Sequence, residues 1–210
     1  MRFDQMAIME GQRRAYAALL SPSIRDGAGN QKANPHQVPA KLTTAPAMLI
    51  QELPFLVTTQ TYNFDFSING PAQTPGTNNN VKIRKNDVFA AYALQMLFTS
   101  GTDSATFIYR GHGLLAADNS MYNSIVSIKT EASTYVDKIE GQFFRDLATN
   151  SSEYYGEVGM QLLNPVRIVS GELGVLTVTL ALKNPISTLV LTANAVISMR
   201  LHGIYGQARG

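Results

Sequence analysis

The side chains of widest chemical reach in this sequence are three histidines, His36, His112 and His202, in a chain that has no cysteine. No two of them stand at the i, i+4 spacing that places imidazoles on one helix face, and no carboxylate partner is fixed beside any of them. A zinc site would have to assemble from distant segments. Each histidine therefore reads as a loop or surface imidazole. The missing cysteines remove thiolate metal sites, disulfides and any cysteine nucleophile. Gly111-His112-Gly113 has the form of an anion-binding or catalytic turn, but glycines flank polar residues wherever a strand ends in a positive φ. Asp137 with Glu140, and Glu153 with Glu157, are the neighbouring carboxylates that could serve glycoside hydrolysis. On a helix such spacing usually makes a solvated face. Phosphate-loop, dinucleotide-loop, nucleophile-elbow and zinc-helix signatures are missing from the sequence. The sequence is accordingly read as a non-enzyme, with no catalytic, cofactor-binding or metal-binding residue and no small-molecule substrate.

Charge points elsewhere. The 210 residues carry a net charge of only +2, too small a basic excess for a protein whose main task is gripping nucleic acid. Arg13-Arg14-Ala15-Tyr16 and Phe107-Ile108-Tyr109-Arg110 put bases beside aromatics, but neither forms the dense array that a single-strand groove needs. The distribution is uneven. Residues 1–41 hold six basic side chains (Arg2, Arg13, Arg14, Arg25, Lys32, Lys41) against three acidic ones (Asp4, Glu10, Asp26), so the rest of the chain is slightly acidic. A basic leading segment on a near-neutral body suggests an arm that meets an anionic or shared surface. Only 15% of the residues are charged, against roughly 25% in an average soluble domain. So little charge leaves weak repulsion between copies and suits a body covered by its neighbours. The opening residues lack a basic start followed by an apolar stretch, so nothing reads as a secretory signal.

The elements that would position these groups follow from periodicity. Apolar residues from Asp4 to Leu20 recur at spacings of three and four, interrupted by Gly11, which predicts a helix. Ser21 to Pro46 is dense in Pro, Gly and Asn and predicts an extended arm or linker. The division is thus a helix and arm over 1–46 and a β domain over 47–210. In Tyr62, Phe64, Phe66 and Ile68 the apolar residues alternate with Thr61, Asn63, Asp65 and Ser67, the pattern of a half-buried strand. Val81–Arg84 and Ala105–Tyr109 predict short strands. Val88 to Ser100 is apolar on both faces; its flanking turns and aromatics favour strand over helix. Spacing of Ala132, Tyr135, Val136 and Ile139 predicts an inserted helix across 130–140. Further strands are expected at 159–163, 166–169, 174–182, 187–191 and 195–205. The fold class is mainly β: an antiparallel β-sandwich or barrel-like double sheet with an N-terminal helix and arm and one inserted helix.

The helix and proline-rich arm, then Phe55–Ile68, the phrase Ile83-Arg84-Lys85-Asn86-Asp87-Val88-Phe89, the late helix, and the closing run Leu163-Asn164-Pro165-Val166-Arg167-Ile168-Val169-Ser170-Gly171-Glu172 with strands to Arg200-Leu201-His202-Gly203 follow a familiar order. This order resembles the jelly-roll capsid proteins of tailless icosahedral bacteriophages. The resemblance covers most of residues 50–206 and rests on order and texture. It implies a single jelly roll, since 210 residues do not comfortably hold two. It further implies a shell subunit located in the virion, assembled in the host cytoplasm with copies of itself and other virion proteins. In that picture Arg2, Arg13, Arg14 and Arg25 contact neighbours, genome or an internal membrane. Removing residues 1–46 is then expected to leave a soluble β domain that assembles poorly. A β-sandwich receptor- or carbohydrate-binding module is the alternative from another class.

Overall fold

The computed structural model describes residues 3–21, 23–25, 30–33, 42–54, 56, 58–66, 87–99, 124–130, 134–141, 160–169, 176–184 and 196–208. A single α-helix among them, α1 (Phe3–Leu19), precedes a short hairpin of β1 (Ser23–Arg25) and β2 (Gln31–Ala33). Eight longer strands follow: β3 (Leu42–Pro54), β4 (Thr61–Phe66), β5 (Val88–Thr99), β6 (Ile125–Lys129), β7 (Thr134–Glu140), β8 (Met160–Val169), β9 (Leu176–Ala181) and β10 (Val196–Ala208). They form two four-stranded antiparallel sheets, in the orders β3-β10-β5-β8 and β4-β9-β6-β7. The protein is mainly β.

One apolar core joins the two sheets. Leu49, Phe89, Leu94, Met96, Leu162, Val166, Ile168, Ile197, Met199 and Leu201 come to it from the first sheet; Tyr62, Phe64, Phe66, Val126, Ile128, Leu176, Val178 and Leu180 come from the second. Alternation places them. In β4 the exposed-buried pattern is strict, with Tyr62, Phe64 and Phe66 inward, and β9 buries Leu176, Val178 and Leu180 in the same rhythm.

Prolines sort by position within the first sheet. Pro46 and Pro54 lie in β3 and Pro165 in β8, the two outer strands, while the inner strands β5 and β10 have none. An outer strand can spare an N–H on its open side; an inner strand cannot. Paired strand therefore begins at Leu42, and Pro46 stands opposite Ile204 inside the sheet. Met160–Val169 likewise runs through Asn164-Pro165 as one strand where the sequence suggests two. The register jump there, from Ala91 opposite Val166 to Ala93 opposite Gln161, absorbs the interruption.

α1 does not reach away from the body. It lies on the outer face of the first sheet, where Ala15 and Leu19 are fully buried against Val88, Ala90, Tyr92, Ala93 and Ile204. Gly11 is one turn before Ala15 on the same face, and a Cβ there would sit 2.6 Å from both the Tyr92 ring and Gln161 Oε1. The glycine that interrupts the apolar pattern is thus the point of closest approach between helix and sheet. Because α1 covers one side of β5 and the core the other, described side chains of β5 from Val88 to Met96 are buried on both faces. Its double-sided apolar run is a strand, as expected.

The inserted helix is not formed at residues 134–140. They make β7, which pairs antiparallel with β6. Register shifts between Val126 and Ile128 and between Ile128 and Lys129 place extra residues on β7, so Ile139 and Val136 oppose Val126 and Ile128. Bulges stretch the two-residue period of a strand to three, and Tyr135, Val136 and Ile139 all pack on the core. This spacing imitates a helix. Residues 81–84, 105–109 and 187–191 lie outside the described residues.

Candidate assembly surface

Two faces of α1 carry apolar side chains but differ in what covers them. Gly11, Ala15 and Leu19, at steps of four, turn into the sheet, whereas Met6, Met9, Arg13 and Tyr16 recur at steps of three, four and three on the outside. Met6 is 57% exposed, Met9 56% and Tyr16 42%. These side chains, with Ala7, Glu10, Gln12 and Ile204, line a groove of about 930 Å³ along the helix. A helix apolar on two sides ordinarily has both sides covered. Here the sheet supplies one cover.

The basic pair on this helix is partly neutralised by its neighbour. Arg13 donates from Nε to Glu10 Oε2 at 2.8 Å and from Nη2 to Oε1 at 2.9 Å, while Arg14 Nε stands 3.6 Å from the same Oε1. The hydrogen bond from Arg13 holds the Glu10 carboxyl below its ordinary range and raises Arg13 in return. Arg13 remains well exposed, and Arg14 is half-buried. Arg25 stands on β1 opposite Gln31, a different element from Arg13 and Arg14. Arg2 lies outside the described residues. Of the four arginines assigned to arm contacts, Arg13 and Arg14 have described side chains, and the two meet around Glu10.

His202 departs from expectation. It lies within β10, the strand paired on both sides, and Nε2–H donates to Gln95 Oε1 of β5 at 3.1 Å. Burial first, and the charge of Arg200 second, lower its pKa to about 4, so the imidazole is neutral near pH 7. It is a structural side chain in the sheet. Ser198, fully buried, shares that face at the next-but-one positions with Arg200 and His202, and Arg200 Nε reaches Ser198 Oγ at 3.3 Å. Ser198 and His202 are four strand residues apart, roughly 13 Å, too far for a nucleophile and its base. Asp137 and Glu140 are both exposed on β7, and Asp137 is ion-paired with Lys129 at 3.6 Å. His36, His112 with its glycines, Glu153 and Glu157 are outside the described residues.

The second sheet presents a different surface. Thr177 donates to Asp65 Oδ1 at 2.7 Å and Thr179 to Asn63 Oδ1 at 2.9 Å, tying β4 to β9 across its outer face. No described helix lies over this polar ladder. Sequence reasoning did not single out Met6, Met9 and Tyr16 as a surface. Their signal was present: apolar residues occupy more of the helix circumference than one sheet can cover. Neither a known protein family nor a curated protein matches the chain.

Proposed function

We propose that this chain is a structural virion protein, a shell subunit whose eight long strands form a single jelly roll. The observation that carries the reading is nested pairing. The first long strand pairs with the last (β3 with β10), the second with the seventh (β4 with β9), the third with the sixth (β5 with β8), and the two middle ones with each other (β6 with β7). A chain folded back once at the β6–β7 connection has these four pairs in line. Rolling that double strand until β10 also meets β5, and β9 also meets β6, makes the two sheets. This wrapping is the geometry a jelly roll requires, and such sandwiches serve as capsid building blocks.

The mechanism in this reading is mechanical. Two sheets sharing one core make a stiff wedge; strand-end loops and the α1 face carry lateral contacts to copies of the chain and to other virion proteins. Low overall charge keeps repulsion between wedges small. In this reading Arg2, Arg13, Arg14 and Arg25 contact neighbours, genome or an internal membrane. The test is size-exclusion chromatography with light scattering on the full chain, followed by negative-stain microscopy. Rings, capsomers or shells are expected. Discrete trimers without larger order would favour a β-sandwich binding module instead, and a monomer in every buffer, alone or with co-expressed virion proteins, would overturn the assembly reading.

A further inference from the structure

The outer stripe of α1 is symmetric about its own middle. Met6, Met9, Arg13 and Tyr16 are spaced three, four, three, so a two-fold axis at the level of Gly11 carries position 6 onto 16 and position 9 onto 13. We propose that this stripe is an isologous seam, in which α1 of one copy packs antiparallel on α1 of a second copy of the chain. The proposal deepens the assembly reading by naming one of its contacts.

Three observations select a second copy as the occupant. First, the apolar ends match: Met6 of each copy meets Tyr16 of the other, joining two of the exposed large apolar residues of the helix. A thioether against an aromatic ring is a favourable contact. Second, the charges are self-complementary. Arg13 of one copy falls at the level of Met9 of the other, one residue (about 1.5 Å of rise) from that copy's Glu10. Glu10 and Arg13 already pair within one helix at 2.8 Å. In the seam, two carboxylates and two guanidiniums interleave, with the Arg13 stem lying over Met9. Third, antiparallel packing sets each helix N-terminus beside the other's C-terminus, the favourable arrangement of their dipoles. A parallel pairing would instead stack Arg13 on Arg13.

A seam of one helix is smaller than the roughly 800 Å² per partner of a stable standard interface. It therefore acts as one of several contacts in a multivalent assembly, where a weak pairing is amplified by effective concentration.

The absence of cysteine makes the test clean. Full-length Met6→Cys and Tyr16→Cys variants are prepared singly, mixed, and treated at high concentration with a short thiol-to-thiol crosslinker. The mixture should give crosslinked dimer at least tenfold above either variant alone. Arg13→Glu should lower that yield severalfold, and the double swap Glu10→Arg, Arg13→Glu should restore it. All four substituted side chains are at the surface, and circular dichroism checks that the fold is kept. Crosslinking of Met6→Cys with itself would indicate a parallel seam and overturn the proposal; equal, low yields in all samples would overturn it as well. Microscopy of the unmodified chain separates the two readings. Shells without the mixed crosslink refute the seam and leave the shell subunit standing, whereas mixed-crosslink dimers that never grow larger do the reverse.

Discussion

The two sheets solve the same burial problem with different outer faces. The β4-β9-β6-β7 sheet keeps a polar exterior, in which Asn63, Asp65, Thr177 and Thr179 hydrogen-bond side chain to side chain. The β3-β10-β5-β8 sheet carries α1 on its exterior and buries Val88, Ala90, Tyr92, Ala93 and Ile204 beneath it. A sheet with one solvated face needs strict alternation, and β4 and β9 have it; a sheet covered on both faces needs apolar residues throughout, as in β5. The contrast teaches that α1 belongs to the β body energetically, whatever else its outer stripe contacts.

Deleting residues 1–20 should break the comparison most severely. The apolar patch under α1 would be bared, and loss of Leu19 burial alone corresponds to about 2–5 kcal/mol by analogy with core truncations. Expected outcomes are a melting temperature lowered by ten degrees or more and strong binding of a hydrophobic dye. A deletion variant as stable and soluble as the full chain would show that the two exteriors are equivalent. The simpler expectation, that removing residues 1–46 leaves an intact soluble domain, changes for the same reason: such a cut also removes the part of β3 that pairs with residues 204–208.

His202 sharpens the contrast through pH. Its folded pKa of about 4 lies below the ordinary 6.5, so between these values the unfolded chain takes up a proton that the folded chain refuses. Stability is therefore fully present above about pH 6.5 and falls as pH drops toward 4, by up to roughly 3 kcal/mol from this group. Urea denaturation across pH 4–7 should show that decline in the parent and a flatter profile in His202→Gln. Equal slopes would remove His202 from the covered sheet's energetics.

The smallest effect is expected on the open sheet. Thr179→Val removes the hydrogen bond to Asn63 but leaves both groups near water, so the loss should be about 1 kcal/mol or less in chemical denaturation. A loss several times larger would mean that this face too is covered.

Legibility followed the same division. Where one face meets water, as in Tyr62, Phe64 and Phe66, alternation stated the strand and its inward side. In β5 periodicity was silent, and only flanking turns and aromatic content favoured the strand that forms. In β7 the pattern misled, because bulges spaced Val136 and Ile139 like a helix. The assembly surface was half legible. Arg13 and Arg14 were singled out by charge, but Glu10 as their shared partner, and Met6, Met9 and Tyr16 as the uncovered stripe, emerged only once the sheet had claimed Gly11, Ala15 and Leu19. His202 looked like a surface imidazole because nothing local to it announces Gln95, which lies far away in the chain.

By itself the sequence determined the mainly β character, the leading helix, the sparse charge and the missing thiol chemistry, because these depend on composition and on the period of side chains along a short segment. Tertiary structure alone decided which strands pair, which side of α1 is left over and that His202 stays neutral. Those outcomes depend on residues distant in the chain meeting across a sheet, where register and burial, rather than local propensity, set the energies.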